Sequence, residues 1–106
     1  MIGIIDYGLG NLRSVRGAVE RLGQEAQISS NLDTLGNSDA LILPGVGAFG
    51  DGMKKIRETG LADGLTEIVT QDKKPILGIC LGAQLMTRKS EEFGEHQGLG
   101  WVDASV

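Results

Sequence analysis

The chain has 106 residues, 41% of them hydrophobic and 23% charged, which suits one globular domain over residues 1–106 and excludes a disordered chain or a two-domain one. A formal net charge of −4 argues against a nucleic-acid partner, whose phosphates call for a basic face. One cysteine leaves no internal disulfide and no multi-cysteine zinc site; no run approaches the ~18 apolar residues of a membrane span, and the opening MIGIIDYG lacks a signal-peptide pattern, so a soluble, cytoplasmic protein is expected.

In chain order, Ile2 to Asp6 is a short apolar run ended by Gly8 and Gly10, which predicts a buried parallel strand. Leu12, Val15, Ala18, Val19 and Leu22 recur at helical spacing, with Asn11 as N-cap and Gly23 as the C-terminal stop. Gln24 to Ser29 is a weaker strand, and Asp39 to Pro44 (DALILP) a third, followed by the loop PGVGAFGDG. Asp51 to about Asp72 reads as helix broken near Gly60 or Gly64. Pro75 to Ile79 is a fourth strand running into CLGAQLM, a strong helix start. Gly94 to Gly100 is expected as loop, and Trp101 to Val106 as the opening of a fifth strand. The predicted order is thus β-α-β-β-α-β-α-β. Near-continuous apolar strands alternating with helices indicate an α/β fold with a doubly wound, mostly parallel sheet flanked by helices.

Gly78-Ile79-Cys80-Leu81-Gly82 has the G-x-nucleophile-x-G form between a predicted strand and a predicted helix, the context a nucleophile elbow requires. Small flanking residues permit a tight turn that lifts the side chain out of the sheet. A helix start behind it favours negative charge, and the first helical N–H groups, beginning with Leu81, are placed to stabilise a tetrahedral oxyanion. A buried structural cysteine at a strand end is the alternative reading. Pro44-Gly45-Val46-Gly47 follows the third strand, and in a doubly wound sheet ligands collect at the carboxyl ends of strands, so this loop and Cys80 are expected to share a crevice. Taken alone, that loop is a plain strand-to-helix turn.

Other features carry less. Gly8-x-Gly10 opens a helix, but the dinucleotide fingerprint needs glycine where Arg13 stands, and Ser29 and Ser30 offer no acidic partner for a ribose. No P-loop is present. His96, the single histidine, lies in a polar stretch and reads as a solvated loop residue rather than as the base for Cys80. Lys54, Lys55 and Arg57 read as a solvated helix face, and Trp101 as core or edge packing.

IDYGLGNLRSV from Ile5, ALILPGVGAFGDGM at 40–53 and PILGICLGAQLM at 75–86 together resemble the class I glutamine amidotransferases, and within them the glutaminase subunits of imidazole glycerol phosphate synthases. The resemblance implies a flavodoxin-like half of an amidotransferase domain in which Cys80 attacks the side-chain amide of glutamine. It also implies an oxyanion hole from Val46 and Leu81 and a glutamine pocket that includes Gly45, Gly47 and Gln84. Ammonia would pass to a (βα)8-barrel cyclase subunit of histidine biosynthesis, with the loops around Asn11 and Val46 near that partner. No metal or organic cofactor is implied. The chain departs from the pattern in one respect: family members are about twice as long, and their downstream His-x-Glu pair has no counterpart among these residues, since His96 is followed by Gln97-Gly98. Residues 1–106 are therefore expected to be the N-terminal half of the domain, with little turnover alone. The rival expectations are a non-catalytic folding or assembly module that forms a homodimer or swapped dimer through an open sheet edge, and another cysteine-elbow hydrolase of related fold.

Overall fold

In a computed structural model covering residues 1–106, four parallel strands form the main sheet: β1 (Ile2–Ile5), β2 (Ala26–Ser29), β3 (Ala40–Leu43) and β4 (Ile76–Gly78), in the spatial order β2-β1-β3-β4. The register places Ile4 beside Ile28 and Ile42, and Ile42 beside Leu77. Alternation along each strand then divides the side chains between two faces. Ile4 and Ile42 meet Ala26, Ile28, Leu12, Val15 and Val19 on one face. On the other, Ile5, Leu41 and Leu43 join Leu35, Phe49, Met53, Ile56, Leu61, Leu65, Leu81 and Leu85 in the principal core. The α/β, mostly parallel architecture is as the sequence predicts.

Helix α1 (Leu12–Arg21) covers the first face. Gly23 closes it as expected, at φ +87° with its N–H on the Glu20 carbonyl. Asn11 holds the N-cap position, but its side chain makes no capping hydrogen bond. The second face carries α2 (Leu32–Gly36), α3 (Phe49–Glu58), α4 (Leu61–Thr66), a π-helical turn over Glu67–Gln71, and α5 (Leu81–Leu85).

Five details differ from the sequence-based expectation. Helix α2 stands between β2 and β3, where no helix was predicted. Asn31 caps it by accepting the Thr34 N–H at 3.1 Å, and Leu35 anchors it in the core. The long helical stretch begins at Phe49 rather than Asp51 and breaks at Gly60, which takes the left-handed conformation at φ 74°. Gly64 stays helical, and glycine fits there because the Leu32 methyls press close: a Cβ would lie 2.4 Å from Leu32 Cδ1.

The other three differences concern the last twenty residues. Helix α5 ends after five residues and the chain re-enters extended structure as β5 (Thr87–Ser90). The stretch expected as loop contains β6 (His96–Gln97), which pairs antiparallel with β5. The predicted fifth strand forms as β7 (Val102–Ser105), but in this separate three-stranded sheet of order β6-β5-β7, not in the parallel one. The Met86 carbonyl accepts from both the Trp101 and Val102 N–H groups, which aligns β7 with β5 instead of β4. No helix is long and apolar enough to cross a membrane.

Candidate active site

Three loops leave the carboxyl ends of adjacent strands: Asp6–Asn11 after β1, Pro44–Ala48 after β3, and the turn at Cys80 after β4. The end of a parallel sheet gathers segments distant in sequence, which is why such crevices bind ligands. Gly10, at φ +124°, lies against Pro44 and Gly45, so the first loop supports the second.

Cys80 sits between β4 and α5 at φ 52°, ψ −120°, a conformation that costs a non-glycine residue on the order of 1–3 kcal/mol. Its neighbours hold it there. A Cβ on Gly82 would lie 1.7 Å from the Leu43 carbonyl oxygen, and one on Gly78 would lie 2.5 Å from Ala83 Cα. Both glycines of the elbow are thus sterically required: α5 packs directly onto the ends of β3 and β4, and the strained turn exposes the thiol. The structure therefore supports the elbow reading over a buried structural cysteine.

The Gly45–Gly47 loop faces the first turn of α5. A Cβ on Gly45 would lie 3.1 Å from both Gly82 N and Leu81 Cβ, so the predicted loop and the predicted elbow do meet. None of the N–H groups of Gly45, Val46, Gly47 and Ala48 is hydrogen-bonded within the chain. Val46 is 59% exposed, and Gly47 adopts φ +108°. The Leu81 N–H, by contrast, is engaged: it donates to the Gly45 carbonyl at 3.3 Å. In this arrangement one predicted oxyanion donor is free and the other is capped by the loop itself. Gln84 lies exposed one turn into α5.

His96 does not join this group. Its ring rests over Gly50 at the start of α3, its Nε2 lies 3.3 Å from the Phe93 carbonyl, and no hydrogen bond links it to Cys80. It stands on a strand, half-buried, rather than in a solvated loop. Lys54 is exposed as predicted, whereas Arg57 donates to the Gln97 carbonyl at 3.0 Å and ties α3 to the small sheet. Trp101 packs on the principal core and donates to Thr66 Oγ1 at 3.0 Å.

Two participants escaped the sequence reading. Glu92, at the tip between β5 and β6, accepts the Phe49 N–H at 3.2 Å and caps α3 where the glycine loop ends. With Ala48, Gly50, Lys54 and His96 it lines a cleft of about 520 Å³ beside that loop. Tyr7, buried at the end of β1, donates to the Pro44 carbonyl at 2.7 Å, and burial pushes its phenol up to about 12. Both contacts join residues about forty positions apart, and no local pattern announces them. No three His, Cys, Asp or Glu side chains cluster as a metal site would require.

Comparison with known proteins bears on the family and the fold. The imidazole glycerol phosphate synthase subunit HisH of Sulfurimonas denitrificans is 49% identical over all of this chain and 51% of its own length. The subunit of that name from Geobacillus thermodenitrificans is 55% identical over all of the chain and 49% of its own length. The chain thus spans about half the length of the curated relatives it matches. A solved structure described as a crystal structure of glutamine amidotransferase superposes with a TM-score of 0.80 at 28% identity, covering 98% of this chain and 54% of that one. A family profile matches residues 9–106, and by it the chain belongs to the SNO glutamine amidotransferase family.

Proposed function

We propose that these residues are the nucleophile-bearing, N-terminal half of a glutaminase that feeds ammonia to a (βα)8-barrel cyclase subunit in histidine biosynthesis. The observation that carries the proposal is Cys80 at positive φ, fixed by two sterically required glycines and facing a loop with unpaired backbone amides. The thiolate sulfur attacks the carboxamide carbon of glutamine, and the carbonyl oxygen becomes an oxyanion. The Val46 N–H, unpaired in this arrangement, receives it once the Gly45–Val46 peptide turns, since in a trans peptide it points opposite to the Gly45 carbonyl. The Leu81 N–H becomes available once the Gly45 carbonyl turns away. The C–N bond then breaks, ammonia leaves with a transferred proton, and water hydrolyses the glutamyl thioester on Cys80 to glutamate. Gly45, Gly47 and Gln84 would line the glutamine pocket, and no metal or organic cofactor takes part.

The proton transfers need a base, and His96 faces the Phe93 carbonyl. A positioned general acid–base group contributes ~10²–10⁴ in rate, so residues 1–106 alone should turn glutamine over barely, if at all. Intact-mass labelling of Cys80 by a glutamine-mimicking chloroketone tests the site without needing that base. Fast labelling that excess glutamine suppresses supports the proposal; slow labelling indifferent to glutamine refutes it. Sustained glutamate release by these residues, abolished in Cys80→Ala, would overturn the expected inactivity.

A second reading, an assembly module, draws on a different observation. The outer edge of β4 has no partner strand, and Leu77 on it is 59% exposed. Sedimentation that finds only a cooperatively folded monomer would dismiss it.

A further inference from the structure

The loop from Pro44 to Ala48 is tied to the other loops of the crevice by two hydrogen bonds. One is Leu81 N–H to the Gly45 carbonyl; the other is the Tyr7 hydroxyl to the Pro44 carbonyl. The N–H groups of Gly45 through Ala48 make none, and the Ala48 carbonyl belongs to α3, where it accepts the Gly52 N–H. The first of the two ties is the one that occupies a proposed oxyanion donor. When the Gly45 carbonyl releases the Leu81 N–H, the Tyr7 hydroxyl holds the loop alone.

Its surroundings fit that task. Tyr7 is 1% exposed, so water does not compete for the bond. Its hydroxyl oxygen would lie 2.2 Å from a Cβ on Gly45, a residue whose virtual Cβ is also 3.1 Å from Gly82 N and from Leu81 Cβ. The hydroxyl is therefore wedged where the loop meets the first turn of α5. Proline at position 44 has a fixed φ and no N–H, so its carbonyl is the group through which this end of the loop is held.

We propose that Tyr7 is a positioning residue for the reaction at Cys80: its hydroxyl pins Pro44, so that the Gly45–Val46 peptide turns about a fixed point and brings the Val46 N–H to bear on the oxyanion. This rests on the glutaminase reading of Cys80. Tyr7 does not touch the substrate; it acts through the backbone of the loop.

The test uses an acyl donor that needs no general acid, the γ-p-nitrophenyl ester of glutamate. The Cys80 sulfur bonds to the ester carbonyl carbon, the C–O bond breaks, p-nitrophenolate leaves as the coloured product, and the thiol proton passes to water. An oxyanion forms on the way, so the burst rate reads the hole. Iodoacetamide alkylation, in which sulfur displaces iodide and no oxyanion forms, reads thiol reactivity alone. In Tyr7→Phe the burst should slow about tenfold, less than the 10²–10³ of deleting a donor outright, while alkylation stays within about twofold. Equal bursts in wild type and Tyr7→Phe would overturn the proposal, as would parallel slowing of both reactions. No Cys80-dependent burst in the wild type would instead sink the glutaminase reading.

A second measurement does not depend on the variant folding. Tyr7 is the single tyrosine of the chain, so 3-fluorotyrosine incorporation gives one ¹⁹F signal. That line should shift when Cys80 is acylated by the ester. A line unmoved by stoichiometric acylation would overturn the coupling between hydroxyl and loop.

Discussion

The two faces of the parallel sheet are built from the same strands but finished differently. On the α2–α5 side, thirteen buried residues form one continuous cluster from Ile5 to Leu85. On the α1 side only Ile4, Ala26 and Ile42 are buried, no residue of α1 is, and Leu22 is 83% exposed. An apolar groove of about 420 Å³ runs there between Val19, Leu22, Ile42 and Leu77. It lies toward the amino ends of β1, β3 and β4, at the opposite end of the sheet from Cys80. The closed face positions the candidate site, because Leu81 and Leu85 root α5, and hence the elbow, in the main core. The comparison teaches that the candidate site rests on the closely packed face, while the open groove lies at the other end of the sheet.

The largest effects should come from the closed face. Phe49→Ala removes a fully buried ring and should cost about 3–5 kcal/mol, against about 2 kcal/mol or more for Ile42→Ala on the open face. Urea denaturation compares them, and equal losses would contradict the asymmetry. Next is a pH effect. Burial raises the folded Tyr7 phenol from 10.0 to about 12, so the unfolded chain ionises first as pH rises. Stability is fully present below pH 10 and falls between about 10 and 12, by about 2–3 kcal/mol for this group. Urea midpoints across that window should drop in the wild type and flatten in Tyr7→Phe.

A smaller effect belongs to α2. Asn31→Ala deletes the cap and should cost about 1 kcal/mol. Thermal unfolding measures it, and a neutral result would mean that Leu35 alone holds the helix. Smallest is Leu77→Lys on the open face, which should change monomer stability by no more than about 0.5 kcal/mol. If copies pair through β4, however, sedimentation should show that pairing lost.

Much of the site could be read from residue order alone. Gly78 and Gly82 around Cys80 announced the elbow because a strained turn demands small neighbours, and the structure shows which atoms impose the demand. Gly23 and Gly60 were legible for a related reason, since positive φ selects glycine locally. Helix α2 was hidden by its brevity: five residues give too few turns for periodicity to register. Strand β5 was hidden because Thr87–Ser90 continues a strong helix start with no breaker between them. Its extended form is imposed from outside, by pairing with β6 and β7.

The sequence by itself determined the parallel α/β plan, the cysteine elbow and the glycine loop, because each is encoded in spacing over a few residues. Only the tertiary structure decided that the Gly45 carbonyl caps the Leu81 N–H, that Tyr7 holds Pro44, that Glu92 closes the start of α3, and that His96 rests on Gly50 away from Cys80. Each of these contacts joins residues more than thirty positions apart. Their partners are chosen by how strands stack side by side, and no periodicity along the chain records that.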